Sequence, residues 1–245
     1  MLRVAWFVPC LLFSTLFFGT TAIGAGVLRI RNRPGGVYDW CAREWSRFML
    51  WVAGTPVRVL GLEHVPAGTP VIYASNHQSW FDIWALAANL PGQVRFVSKR
   101  ELARVPVLGP AMRSAGHIFL DRSNRQAAFA AYEEAGATIR SGMSAVVFPE
   151  GTRSRTGELQ PFKKGPFVFG IAAQVPLVPV YCAGTFDILP KGKIRINTHP
   201  ITIFVGPPIE TAGLIYEDRE RLMADAQRAV EALRDQALRA PAPAG

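Results

Sequence analysis

The sequence predicts an α/β domain with a mixed sheet flanked by helices, preceded by an apolar helical hairpin, on three observations. Short apolar runs alternate with helix-length stretches after Gly54, residues 4 to 28 carry no charge, and Pro34-Gly35-Gly36 separates that run from a second stretch rich in Trp and Arg. At 245 residues one substantial core accounts for the whole chain. The organisation expected is N-terminal membrane-associated helices over 1–54, one α/β domain over 55–240 and a frayed tail over 241–245.

The uncharged run would span about 38 Å as a helix, against roughly 30 Å of bilayer hydrocarbon. Membrane contact is its leading explanation. A secretory signal is the competing one, with Met1-Leu2-Arg3 as the charged start and Ala22-Ile23-Gly24-Ala25 as small residues for cleavage, but the run exceeds the usual 7–15 residues of such a segment. If it spans, Arg29, Arg31 and Arg33 outweigh Arg3 and place the body on the cytoplasmic side of the cell membrane. Pro9 and three glycines leave room for a kink. In "VYDWCAREWSRFMLWVAG", Trp40, Arg43, Arg47 and Trp51 mix rings and cations at helical spacing. This suits an interfacial helix on anionic lipid, and equally a core helix with a basic outer face.

Lys and Arg number 27 against 18 Asp and Glu, for a net charge of +9. Such a balance favours an anionic partner. Nucleic acid is the weakest candidate, because the apolar N-terminus already gives the charge a membrane to meet and no reader motif is present. Cys10, Cys41 and Cys182 are odd in number and far apart, which indicates neither a disulfide framework nor a zinc site. No metal is expected.

In chain order the strands are expected at 57–60, 71–74, 94–98, 117–120, 145–148, 176–181 and 194–205, the last bent or a hairpin around His199-Pro200. Helices are expected at 80–90, 125–140, 165–174 and 217–239. The final helix carries both signs of charge at i, i+4 spacing and reads as a solvated surface.

"SNHQSWFD", residues 75–82, holds the first chemical candidate. On one continuous helix His77 and Asp82 would point about 140° apart. If a strand ends near Ala74 and the helix starts near Ser79, the turn between them can fold imidazole and carboxylate together as a base and its orienter. Ser79-Trp80-Phe81-Asp82 also fits a capping box, in which Asp82 only caps its helix. Spacing admits both. A second candidate is "VVFPEGTRSRTGELQPFKKG", residues 146–165, where a strand runs into Glu150, Gly151, Thr152 and Arg153. Gly151 permits close backbone approach, Thr152 offers a hydroxyl and Arg153 a phosphate-matching fork; the bland reading is a charged turn. A third stretch, residues 98–122, brings Lys99, Arg100 and Arg122 around a loop punctuated by Pro106, Gly109 and Gly116.

Taken together these stretches resemble the glycerolipid acyltransferase family, in particular its 1-acyl-sn-glycerol-3-phosphate acyltransferases. The H-x4-D block is Asn76 to Asp82, the arginine block is Phe148 to Ser154, and Lys99-Arg100-Glu101-Leu102 and Val175-Pro176-Leu177-Val178-Pro179-Val180 match between and after them. The resemblance implies the family's αβ fold, with N-terminal helices on or in the membrane. It implies transfer of a fatty acyl group from acyl-CoA or acyl carrier protein, with no cofactor, to the 2-hydroxyl of lysophosphatidic acid. In its terms His77 is the general base and Asp82 its orienter. Lys99, Arg122, Glu150, Gly151, Thr152 and Arg153 bind substrate, chiefly its phosphate, and Val175, Pro176, Leu177, Val178 and Pro179 line the acyl or thioester pocket. Runners-up are acylation of glycerol 3-phosphate or another lysolipid, a membrane-bound hydrolase using Ser79 or Cys182, and a non-catalytic module for anionic lipid. A hydrolase of the G-x-S-x-G type lacks its motif here.

Overall fold

The structure, a computed structural model, describes residues 2–120, 132, 135–140 and 142–240. Its strands are β1 (Val57–Leu60), β2 (Ile72–Ser75), β3 (Gln93–Lys99), β4 (Ile118–Leu120), β5 (Met143–Val147), β6 (Leu177–Ala183) and β7 (Ile201–Val205). They form one sheet in the order β1-β7-β6-β2-β5-β3-β4. All neighbours are parallel except β6 and β7. The helices are α1 (Leu2–Val27), α2 (Val37–Ala53), α3 (Phe81–Asn89), α4 (Leu108–Ser114), α5 (Gly165–Ala173), α6 (Thr185–Ile188) and α7 (Arg219–Arg239).

Central strands are buried on both faces, so they read as continuous apolar runs. The two-residue period then divides them between layers: Tyr73 joins the cluster with Phe81 and Trp84 of α3 and Met49 of α2, while Ile72 and Ala74 join Phe167 of α5 and Leu222 of α7. From β2 the chain crosses to β3 on one side, and from β5 it returns to β6 on the other. Adjacent strands that send their connections in opposite directions leave a crevice at their carboxyl ends, where ligands of open α/β sheets bind. The loops leaving β2 and β5 are the ones that carry His77 and Arg153.

Most expected elements are present with ends shifted by a residue or two. The expected strand at 194–205 is shorter: only Ile201–Val205 is laddered, since Pro200 has no N–H to donate and Ile194 is exposed. The loop read into residues 98–122 instead contains a 3-10 turn, Arg100–Arg104, and α4. Of the helix expected at 125–140, residues 135–140 are helical and the rest, apart from 132, lies outside the described residues, as does the tail.

The N-terminal hairpin forms, and the apolar core continues across residue 54. Phe7 of α1 packs tilted against Phe81 and edge-on to Trp84, and Ser14 meets Met49 of α2. Gly19 and Gly26 are seven residues apart on one face. A Cβ at Gly19 would stand 2.5 Å from Val107, and one at Gly26 2.5 Å from Ser114. Both glycines are therefore what lets α1 lie directly on α4. Pro9 does not interrupt α1. Away from these contacts α1 exposes Trp6, Leu12, Phe13, Leu16 and Phe17. On α2 the ring-and-cation mixture divides by role: Trp40 and Trp51 are exposed, whereas Arg43 turns inward and donates to the carbonyls of Leu90 and Gly92, both at 2.8 Å, closing the end of α3.

Candidate active site

Residues 76–80 connect β2 to α3 without regular structure, and side-chain hydrogen bonds fix the loop. Asn76 is fully buried and exchanges two hydrogen bonds with the backbone of Cys182, donating to its carbonyl at 3.0 Å and accepting its N–H at 2.7 Å. This side chain imitates one more rung of the sheet and pins the loop to β6. Ser79 Oγ donates to the Leu189 carbonyl at 2.9 Å.

Asp82, in the first turn of α3, is buried. Its Oδ2 accepts the N–H groups of Gln78 at 2.7 Å and Ser79 at 2.8 Å and lies 2.8 Å from His77 Nδ1, while Oδ1 accepts from Thr185 Oγ1. The capping and orienting readings are thus not alternatives: one carboxylate fastens the helix start and holds the imidazole. An ionised carboxylate only accepts, so Nδ1 carries the proton and the neutral ring keeps its lone pair on Nε2. The ring stacks on Phe148 at a centroid distance of 3.9 Å and is 15% exposed, leaving one side open to a cavity. The remaining histidines have structural partners. His64 faces the Val205 carbonyl, His199 the Pro200 carbonyl, and His117, half-buried, accepts the Phe96 N–H, with desolvation, then Arg95, pushing its pKa down to about 3.

The loop after β5 closes the other wall. Gly151 adopts φ +74, and a Cβ there would meet Lys163 at 3.0 Å, so the turn requires glycine. Arg153 lies over the ring of Trp80, 4.9 Å from its centroid, and partial burial depresses its pKa against the opposing field of Asp82. Lys191, which sequence reasoning missed, donates to Thr152 Oγ1 at 2.8 Å and to the Arg153 carbonyl at 3.2 Å. Desolvation and the like charges of Arg155, Arg153 and Lys99 lower its pKa. Among the described residues, Lys99, Arg153, Arg155 and Lys191 make no ion pair with a carboxylate. Converging unpaired cations form a site for an anion.

A cavity of about 500 Å³ opens at this point, with His77, Trp80, Lys99, Thr152, Arg153 and Lys191 at one end. Its other end runs between the N-terminal helices and α4 and is lined by Phe18, Ala22, Tyr38, Cys41, Trp84 and Ala111. Gly151 also lines it. Arg122 lies outside the described residues. Two groups of expected residues stand away from this cavity. Val175, Pro176, Leu177, Val178 and Pro179 do not line the cavity; Leu177, Val178 and Pro179 belong to a strand buried between β2 and β7, and its side chains fill the two core layers. Glu150 is buried behind the loop and faces the backbone of His77. The hydrolase reading loses its nucleophiles as well: Ser79 is spent on Leu189, and burial raises the Cys182 thiol well above its ordinary pKa.

Comparison with known proteins agrees with this geometry. A family model described as Acyltransferase matches residues 56–183. A 1-acyl-sn-glycerol-3-phosphate acyltransferase of Limnanthes douglasii is 38% identical over 200 residues, covering 78% of this chain and 69% of that one. The alpha form of Homo sapiens is 36% identical over 208 residues, covering 83% and 71%. The Cocos nucifera enzyme of the same name is 35% identical over 182 residues, and the chain spans only 58% of its length. The crystal structure of the 1-acyl-sn-glycerophosphate (LPA) acyltransferase PlsC from Thermotoga maritima superposes with a TM-score of 0.81 over 98% of this chain and 97% of that one, at 24% identity, which speaks to the fold. The chain belongs to the acyltransferase family, among the 1-acyl-sn-glycerol-3-phosphate acyltransferases.

Proposed function

We propose that the chain transfers a fatty acyl group from an acyl thioester to the 2-hydroxyl of lysophosphatidic acid, with His77 as general base. The observation that carries this is one juxtaposition: an imidazole held by Asp82 at 2.8 Å, at the mouth of an apolar cavity rimmed by Lys99, Arg153 and Lys191. The cations take the acceptor's phosphate and the apolar end takes an acyl chain. Nε2 removes the hydroxyl proton as that oxygen attacks the thioester carbon. The carbon–sulfur bond then breaks, and the imidazolium returns its proton to the leaving thiolate. An alcohol is too weak an acid to react unaided at neutral pH, and base assistance of this kind is worth about 10²–10⁴ in rate. No acyl-enzyme forms, since the acceptor oxygen attacks directly.

The protein sits on the membrane through α1. This helix is long and apolar enough to cross a bilayer. Yet it packs along its length, from Phe7 on α3 to Gly26 on α4, which favours a helix embedded in one interface with its outer apolar face toward lipid. Trp80, 40% exposed at the cavity mouth, belongs at the same depth.

The test offers purified protein lysophosphatidate, glycerol 3-phosphate or lysophosphatidylcholine, each with acyl-CoA and with acyl carrier protein as donor. Phosphatidate formed in preference to the other products supports the reading; preference for glycerol 3-phosphate, or for the choline lipid, contradicts it.

A further inference from the structure

We infer that Glu150 is a positioning residue for the base: its carboxylate fixes the backbone of His77 from behind and makes no contact with the acceptor. The inference rests on the reading of His77 as the base and adds how that base is held in place.

The peptide units around His77 are gripped from both sides by the loop after β5. Glu150 Oε1 accepts the His77 N–H at 2.7 Å, the Ser154 N–H donates to the His77 carbonyl at 2.8 Å, and Phe148 stacks on the ring. One seven-residue segment therefore determines where the imidazole sits and also presents Thr152 and Arg153 to the cavity. Behind it, Gln160 Nε2 donates to Glu150 Oε2 at 2.8 Å and to the Thr152 carbonyl at 3.2 Å. Two acceptors on one side of Gln160 fix its amide orientation. A proton on Oε2 would therefore face a donor, and the carboxylate must be ionised to keep both bonds. Glu150 is 2% exposed, and a buried carboxylate is retained at this cost only with its donors in place.

Burial, opposed by these hydrogen bonds and aided by Asp82, raises the Glu150 pKa from 4.5 to about 7. The charged groups around it are Asp82 from α3 and, on its own loop, Lys163 beside Gly151. The grip on His77 is consequently complete above about pH 7 and weakens below it.

Glu150→Gln keeps one acceptor oxygen where the carboxylate accepts from the His77 N–H and from both the side chain and the backbone of Gln160. Its kcat for phosphatidate formation from lysophosphatidate and acyl-CoA should fall about tenfold, the worth of one lost charge-assisted hydrogen bond, while the lysophosphatidate KM stays within about twofold. Gln160→Ala removes one of the donors that lower the Glu150 pKa, beside the His77 and Gln160 backbone N–H groups, so the acid limb of its kcat profile should move to higher pH. A higher acceptor KM at unchanged kcat would make Glu150 a ligand and overturn the inference, as would two unchanged parameters in Glu150→Gln or an unmoved acid limb in Gln160→Ala. If Glu150→Gln does not fold, the limb of Gln160→Ala decides. His77→Ala in the same assay separates the two levels: full activity there brings down the base itself, whatever Glu150 does.

Discussion

The two walls of the crevice are built on opposite principles. Around His77 and Asp82 the polar atoms other than His77 Nε2 are largely held by hydrogen bonds within the protein, many of them to backbone groups. At the cation rim Lys99 is exposed, Arg153 and Lys191 are half-buried, and among the described residues none of the three pairs with a carboxylate. Under the proposed function the difference is a division of labour: geometry that must be right in the transition state is fixed by folding, and charge that only holds the substrate is left for the substrate to neutralise. Substitutions in the first wall should then appear in kcat, and those in the second in KM.

The largest effect expected is from His77→Ala, a loss of about 10²–10⁴ in kcat in a protein that remains folded, checked by transfer assay and circular dichroism together. Asp82→Asn comes next. The amide replaces a carboxylate that accepts from two backbone N–H groups, His77 and Thr185, so kcat should fall by at least about tenfold and stability by roughly 1.5–3 kcal/mol. A stability loss with unchanged turnover would return Asp82 to a mere helix cap and erase the contrast.

On the rim, Arg153→Gln should raise the lysophosphatidate KM about 10- to 100-fold with little change for the donor, and Arg153→Lys should recover only part. Lys191→Met should do less, about three- to tenfold, because its ammonium is also spent on Thr152 and the Arg153 carbonyl. An equal rise for donor and acceptor would show that the rim holds the carrier's phosphates too.

A further expected effect concerns stability. Because the folded-state pKa of Glu150 is raised from 4.5 to about 7, the folded chain binds a proton there that the unfolded chain has already lost. This group's stabilisation is complete below about pH 4.5 and is lost as pH rises through about 7, an amount on the order of 3 kcal/mol. Glu150→Gln should flatten that slope in pH-dependent urea unfolding, offset by roughly 1–3 kcal/mol of lost hydrogen bonding. The pH at which Glu150 grips His77 is thus the pH at which it costs the fold most.

Much of this was legible before folding. The apolar runs that became β2, β5 and β6 are buried on both faces, and the Asn76–Asp82 and Phe148–Ser154 blocks sit at strand ends where a chain must turn. Two kinds of fact were hidden. Lys191 lies 38 residues beyond Arg153 between Pro190 and Gly192, where a basic turn looks like any exposed one; only the sheet order brings it to Thr152. The acyl end of the cavity was sought in 175–179, a run whose apolar character comes from its place inside the sheet. The apolar end of the cavity is lined instead by residues of the N-terminal helices and α4, among them Phe18, Ala22 and Ala111. Composition does not distinguish an apolar side chain that fills a core from one that borders a void.

Steady-state kinetics against lysophosphatidate at saturating donor, run side by side on His77→Ala and Arg153→Gln, test the division most directly. The prediction is a collapsed kcat with nearly unchanged KM in the first and a KM raised at least about tenfold with kcat largely kept in the second. Equal losses of kcat in both, or near-wild-type turnover in folded His77→Ala, would contradict it.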